Sequence, residues 1–187
     1  ETEQGLFVSE FVTQGPPMIE TLREFIPEES LLPPTGELWE FHNKDNPHSS
    51  RADKRSHQQI LVDLTRKMIG EWETVEEFAA YAGILQGEFI RAEVEHYRRR
   101  KWAISGALMW MYNDCWPAIG WSIVDYYLRP KVAYYYTRRA FAPLLVSFQE
   151  SDDGTLIYVT ADNRTEPVRG TLKIGVLDLE SSEMDIE

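Results

Sequence analysis

The sequence has very little cysteine and no long apolar run, and each shortage argues against a class of function. Cys115 is the single cysteine among 187 residues, so no disulfide can form within the chain. It lies between Asp114 and Trp116 without a neighbouring histidine, which argues against an activated thiol nucleophile. No stretch approaches the ~20 apolar residues of a membrane span, so no membrane association is expected.

Basic residues are also scarce. The 19 basic side chains face 31 acidic ones, which gives a net charge of −12 and disfavours nucleic acid as a partner. Aromatic residues, in contrast, are abundant, with six tryptophans and nine tyrosines. Rings usually belong to the core, but a carbohydrate or another ring-shaped ligand also accounts for them. A hydrophobic content of 43% predicts a packed globular protein in either case.

Two buried strands separated by helices dominate the first three quarters of the chain. Residues 6–11 form a short apolar run that ends before a Gly-Pro-Pro sequence, and residues 103–110 form a second, almost continuous apolar run. Helical spacing of apolar residues predicts helices after Pro17, from Ser56, from Thr74 and from Pro130. The stretch 27–55 is predicted to be an irregular loop, and its histidines have no metal-ligand spacing, so no metal or cofactor is expected.

The pattern changes to strict alternation after Pro143. Residues 144–148, 156–161 and 171–179 alternate apolar and polar side chains, and turn residues at 152–154 and 163–167 separate them. This part is predicted to begin an antiparallel β domain. Three strands rarely bury enough apolar surface alone, so unpaired edges and self-association are expected.

Polar residues follow both apolar strands. Glu10 ends the first strand, and the second is followed by Trp110, Asn113, Asp114 and Trp116. An isolated Glu at a strand end is usually solvated surface. If the two strands are parallel neighbours, however, these groups converge at one edge of the sheet. A carboxylate beside tryptophan rings and polar groups is what a glycosidase pocket requires, so Glu10 is a candidate catalytic residue and the other four are candidate sugar-binding residues.

Several motifs resemble one enzyme family, in order along the chain. They are Phe7-Val8-Ser9-Glu10-Phe11 with Gln14-Gly15 and Pro17, then Gly106-Ala107-Leu108-Met109-Trp110, then Asn113-Asp114-Cys115-Trp116-Pro117 with Trp121-Ser122. The match extends to Glu95–Arg99 before the second strand and to Asp125-Tyr126 and Arg139–Pro143 after it. These residues resemble the nucleophile segment and the last barrel strand of glycoside hydrolase family 2, and most closely its β-mannosidase branch.

This resemblance implies an α/β fold. Residues 1–142 would be the C-terminal part, about strands seven and eight, of a (β/α)8 TIM barrel, and residues 143–187 would begin an immunoglobulin-like β-sandwich. Glu10 would be the nucleophile of a retaining exo-acting hydrolase of terminal β-mannosides, and Trp110 would line the sugar subsite. Asn113, Asp114 and Trp116 would lie in or behind that subsite. The sequence departs from the family at Val12, which stands where the family usually has Gly, and at Thr13 and Pro16, where it usually has aromatic residues.

The resemblance also implies that the second catalytic carboxyl group is missing from this chain. A retaining glycosidase needs a second carboxyl group, and in the family this acid/base Glu follows an Asn. No Asn-Glu pair occurs in the chain, so the acid/base is expected N-terminal to residue 1 and the isolated chain is expected to be inactive. Two alternatives remain open: the same chemistry on a galactoside, glucuronide or glucosaminide, and a non-catalytic carbohydrate-binding or interaction module.

Overall fold

Residues 6–11, 13–43, 55–162, 165–182 and 184–186 are described by the computed structural model. The helices are α1 (Ile19–Leu22), α2 (Glu37–His42), α3 (His57–Met68), α4 (Val75–Arg99) and α5 (Val132–Ala140). The strands are β1 (Val8–Phe11), β2 (Ala107–Met109), β3 (Leu144–Ser151), β4 (Gly154–Ala161), β5 (Gly175–Leu177) and β6 (Met184–Ile186). Among these helices, none combines the length and the apolar character that crossing a bilayer requires.

The first two strands are parallel neighbours, as the candidate site requires. Val8 pairs with Ala107 and Phe11 with Met109, and the register shifts between these two pairs. The inner side chains Val8 and Phe11 pack into an apolar cluster with Ile90 of α4 and Ala133 of α5. Helix α4 therefore lies behind the strand pair and returns the chain from the end of β1 to the start of β2, in the manner of a βαβ unit.

The two longer helices, α3 and α4, begin at the predicted residues and have side-chain caps. Ser56 accepts a hydrogen bond from the Gln59 amide at 3.0 Å, although the Gln59 side chain donates to Asp63 instead of completing a capping box. Thr74 and Glu77 form both bonds of a capping box. The backbone bonds to Glu73 and Thr74 also hold the pKa of the Glu77 carboxyl below its ordinary value.

Helices α4 and α5 lie in very close contact. A Cβ added at Gly87 would come within 2.5 Å of the Tyr136 ring, so only glycine admits that ring against the helix backbone. At the C-terminal end of α4, Arg98 donates to the carbonyls of Ala140 at 2.6 Å and Ala142 at 2.7 Å. The end of α5 is thereby capped by a side chain of α4.

The same basic cluster also holds the β-hairpin made of β3 and β4. Lys101 donates to Asp162 at 2.8 Å and to the Ala161 carbonyl at 2.9 Å, and Arg98 pairs with Asp162 at 3.1 Å. The Lys101 hydrogen bond and the Arg98 charge lower the pKa of the Asp162 carboxyl. Arg98 and Lys101 at this helix end complement the helix dipole and also attach the hairpin to the helical part.

The structure corrects several predicted elements. The stretch 27–55 is not wholly irregular, because its described part contains helix α2; residues 44–54 lie outside the described residues. The helix predicted after Pro17 is one turn long, and the strand predicted from residue 103 begins only at Ala107. The alternating run 171–179 contributes only β5, which pairs with β6, while β3 and β4 form a separate two-stranded sheet with its turn at 152–153.

Candidate active site

Glu10 and Trp110 stand at the same end of the parallel strand pair. Glu10 is exposed and precedes Phe11, the last residue of β1. Trp110 follows β2 directly, and its amide donates to the Phe11 carbonyl at 3.0 Å. The Trp110 ring is half exposed, so a flat apolar surface and a carboxylate are both accessible at this end of the sheet. Val12, the departure from the family pattern next to Glu10, lies outside the described residues.

Backbone hydrogen bonds shape the loop that follows Trp110. The peptide bond between Trp110 and Met111 is cis. The Tyr112 carbonyl then accepts from the amides of Ile123 and Val124, at 3.1 and 3.0 Å. Asn113 is exposed, and its side-chain amide donates to the neighbouring Asp114 carbonyl at 3.2 Å. The loop therefore closes on itself and presents Asn113 to solvent.

Asp114 is turned away from solvent and lies in a buried network. The Ser122 hydroxyl donates to its carboxylate at 2.5 Å, and the Lys131 ammonium lies 3.4 Å from the same carboxylate oxygen. Lys131 also donates to the carbonyls of Gly15 at 3.1 Å and Gly120 at 3.3 Å. One ammonium thus joins the segment after Glu10 to the loop after Trp110. A buried charge is tolerable only with such partners.

Gln86 of α4 makes a second connection between the same two segments. Its side-chain amide donates to the carbonyls of Thr13 at 3.1 Å and Ser122 at 3.2 Å. The amide of Gly15 in turn donates to the Gly120 carbonyl at 3.1 Å. A Cβ at Gly15 would lie 2.4 Å from Gln86 Oε1, so glycine is required where this helix approaches the segment.

A second buried carboxylate, Asp125, secures the far end of the loop to α1. Thr21 donates to it at 2.5 Å, and the amide of Arg129 donates to its other oxygen at 2.9 Å. The Arg129 guanidinium also donates to Thr21 at 3.1 Å and pairs with Glu24 at 3.1 Å. Asp125 is fully engaged in structure, which argues against its serving as the second carboxyl of a glycosidase pair.

Trp116 contacts residues that the sequence did not single out as functional. Its ring stacks on His42 with centroids 5.4 Å apart and meets Phe41 edge-on at 5.9 Å. His42 Nδ1 lies 2.9 Å from the Pro117 carbonyl, and the amide of Ile119 donates to the His42 carbonyl at 2.8 Å. The loop after β2 is thereby held against helix α2. The sequence offered only the aromatic character of residues 39–42 as a signal.

No metal centre is found among the described residues. No group of three or more His, Cys, Asp or Glu side chains is placed to hold an ion in that part of the chain. Cys115 is exposed, between the buried Asp114 and the half-buried Trp116. The histidine and asparagine side chains of the stretch 44–54 lie outside the described residues.

Comparison with curated proteins identifies relatives for most of the chain. No protein-family model matches it. The chain is 34% identical over 151 residues to β-mannosidase B of Thermothelomyces thermophilus, and this alignment covers 76% of the chain and 17% of that protein. It is 30% identical to β-mannosidase B of Neosartorya fischeri over 197 aligned positions, which cover 96% of the chain and 22% of that protein.

Solved structures give the same relationship. The β-D-mannosidase of Dictyoglomus thermophilum superimposes with a TM-score of 0.73 and 33% identity, over 83% of this chain and 18% of that one. The exo-chitosanase of Amycolatopsis orientalis gives a TM-score of 0.60 and 25% identity, over 76% and 17% of the two chains.

The relatives that these comparisons find are glycoside hydrolases by name. Within that class the chain is homologous to the β-mannosidases, as the resemblance in its motifs predicted. The chain spans only about a fifth of the length of the curated relatives it matches, 17% of one and 22% of the other. It therefore corresponds to a segment of such an enzyme.

Proposed function

We propose that this chain is the C-terminal part of the catalytic barrel of a retaining exo-acting β-mannosidase, followed by the start of an immunoglobulin-like domain. Residues 1–142 supply the last two strands of a (β/α)8 barrel, and residues 143–187 supply the first strands of the β-sandwich. The observation that carries the proposal is the parallel pairing of β1 with β2, which brings Glu10 and Trp110 to one end. Catalytic groups of such barrels lie at the C-terminal ends of the strands.

Glu10 is the nucleophile in this proposal. Its carboxylate attacks the anomeric carbon of the terminal mannose, and the bond from that carbon to the leaving oxygen breaks. A second carboxyl group, about 5–5.5 Å away, protonates the leaving oxygen and later activates the water that releases the sugar. This acid/base belongs to a part of the protein N-terminal to residue 1.

The other site residues divide into two roles. Trp110 and Asn113 are accessible, so they contact the sugar, through the ring face and the side-chain amide respectively. Asp114 is buried against Lys131, so it acts from behind the subsite by fixing the loop that carries them. Trp116 lies further along the same loop, beside His42.

Covalent trapping tests the nucleophile. Reaction of the full-length protein with a 2-deoxy-2-fluoro β-mannosyl fluoride should attach one sugar to the peptide that contains Glu10. Glu10→Gln should lower turnover of nitrophenyl β-mannoside by at least about 10³-fold. Glu20→Gln is the matched control, because Glu20 is exposed on the following helix. Wild-type turnover by Glu10→Gln would refute the assignment.

A related sugar is the second candidate. The similarity to an exo-chitosanase favours the same chemistry on a β-glucosaminide. Comparison of kcat/KM for nitrophenyl β-mannoside and β-glucosaminide in the full-length protein decides between them. The non-catalytic alternative predicts that the Glu10→Gln protein binds mannose and that the wild type hydrolyses none of these substrates. Calorimetry measures the binding, and the same nitrophenyl assays measure the hydrolysis.

A further inference from the structure

A cluster of aromatic and histidine rings is formed by the connections that follow β1 and β2. His42 contacts three other rings: Phe25 at 4.5 Å, Phe41 at 5.1 Å and Trp116 at 5.4 Å between centroids. Phe41 also meets Trp116 edge-on. Phe41 is 67% exposed, whereas His42 and Trp116 are half buried beside it. Single exposed apolar residues are common on protein surfaces. Rings from two separate connections that pack against each other form a contiguous apolar patch instead, and such patches mark binding sites.

The cluster belongs to the same end of the sheet as Glu10. Phe41 and His42 lie on the connection that leaves the end of β1, and Trp116 lies on the connection that leaves the end of β2. Connections that leave the ends of parallel strands emerge on one face. The cluster lies on these connections, whereas Glu10 and Trp110 lie at the ends of the strands themselves.

The cluster is held in place by backbone contacts. Trp39 of α2 is fully buried and donates to the Ser30 carbonyl at 3.1 Å, which fixes the helix that carries Phe41 and His42. The Ile119 amide donates to the His42 carbonyl at 2.8 Å. A surface anchored from both sides keeps its ring positions without a ligand, and such preorganisation favours binding.

The histidine adds a polar atom to the apolar surface. Its Nδ1 lies 2.9 Å from the Pro117 carbonyl, which can only accept a hydrogen bond, so Nδ1 carries the proton. In the neutral ring Nε2 is then an acceptor. Flat apolar rings combined with one hydrogen-bond acceptor suit a pyranose, which has apolar C–H faces and hydroxyl donors at its edge.

We infer that Phe41, His42 and Trp116 form a platform that binds the sugar residue on the leaving-group side of the scissile bond. This inference rests on the proposed function, because it places the terminal mannose at Glu10 and Trp110. The next sugar then extends outward over the loops, where the platform lies. The ligand class is a β-linked manno-oligosaccharide of at least two residues.

The test compares two substrates of the full-length protein. Methyl β-mannoside has no second sugar, whereas β-1,4-mannobiose has one. Phe41→Ala should raise KM for mannobiose about five- to tenfold, the effect of losing one stacked ring, and should leave KM for methyl β-mannoside unchanged. Phe148→Ala, which removes another ring that is more than half exposed, from the β3–β4 hairpin, should change neither value.

The outcomes separate this inference from the proposed function. An equal effect of Phe41→Ala on both substrates, or no effect on mannobiose, would overturn the platform while leaving hydrolysis at Glu10 intact. His42→Phe keeps a ring but removes the acceptor, so a rise in KM confined to mannobiose supports the hydrogen bond from the second sugar. Failure of the proposed function would instead appear as full activity of Glu10→Gln on both substrates.

Discussion

The ammonium of Lys131 lies 3.4 Å from a carboxylate oxygen of Asp114, and both side chains are completely buried. The pair joins two segments that are far apart in sequence, because Lys131 also donates to the Gly15 carbonyl. Glu10 precedes Gly15 by five residues, and Trp110 precedes Asp114 by four. This buried charge pair therefore contributes to the relative position of the proposed nucleophile and the proposed sugar-binding ring.

Removal of the Lys131 charge is expected to be strongly destabilising. Lys131→Met leaves the Asp114 carboxylate buried without its cation, which typically costs about 3–5 kcal/mol. Urea unfolding followed by circular dichroism measures the loss. Lys67→Met is the matched control, because Lys67 is exposed on α3. In a double-mutant cycle, Asp114→Asn should recover part of the loss, and strictly additive effects would contradict a direct interaction.

Gly15 is expected to tolerate no side chain. In Gly15→Ala the new Cβ would meet Gln86 Oε1 at 2.4 Å and Gln86 Cβ at 2.9 Å. Gln86 cannot easily withdraw, because its amide donates to Thr13 and Ser122. We expect a loss of about 1–3 kcal/mol in the free energy of unfolding, typical of overpacking. Gly170→Ala has open space around its Cβ and should stay close to wild type. Equal stability of the two variants would refute the steric argument.

The attachment of the β3–β4 hairpin is expected to weaken in acid. Lys101 and Arg98 lower the pKa of Asp162 in the folded protein, so this carboxylate stabilises the fold fully above its unfolded pKa of about 4. The contribution is lost as the pH falls through the lower folded pKa. Asp162→Asn should therefore cost about 0.5–1 kcal/mol at pH 7, the range for a half-exposed pair, and the difference should disappear in strong acid.

Unfolding measured from pH 7 downward checks this titration. Asp153→Asn serves as the control, because Asp153 lies exposed in the turn of the same hairpin. A difference between Asp162→Asn and wild type that stays constant at every pH would show that the side chain matters through its shape and not through its charge.

Local signals in the sequence predict helices α3, α4 and α5 and both strands of the candidate site. The Thr74–Glu77 box and the apolar run ending at Glu10 act within a few residues, so they are visible without the fold. The motifs that resemble the enzyme family predict in addition that Glu10 and Trp110, a hundred residues apart, lie at the same end of the sheet. Parallel pairing of their strands agrees with that expectation.

The contacts behind the site were not predictable in the same way. Lys131 lies just before a helix, and no local pattern in the sequence predicts that it pairs with Asp114, seventeen positions earlier. Helix α2 has only six residues and lacks a full amphipathic repeat, so its sequence predicts a loop and does not place His42 beside Trp116. Burial of its own Trp39 side chain against the core stabilises this short helix.

The isolated 187-residue chain is expected to hydrolyse no aryl β-mannoside. One carboxylate can attack the sugar, but no second carboxyl group from the family pattern is available to protonate the leaving oxygen. The assay is release of nitrophenol from nitrophenyl β-mannoside by the purified chain, with its Glu10→Gln variant as the blank. Turnover that exceeds the blank would show that an acid within residues 1–187 completes the pair.

The isolated chain is also expected to self-associate. Leu6 and Phe7 before β1 and Leu108 within β2 are all more than half exposed, and β1 and β2 form a sheet of only two strands. Apolar strand surface of this kind pairs with another copy when no neighbour covers it. Sedimentation velocity should show species larger than a monomer at micromolar concentration. Leu108→Lys should shift the larger species towards monomer. Leu179→Lys is the control and should not, although Leu179 is the most exposed leucine among the described residues. A monomeric wild-type chain would contradict the proposal that barrel strands are absent.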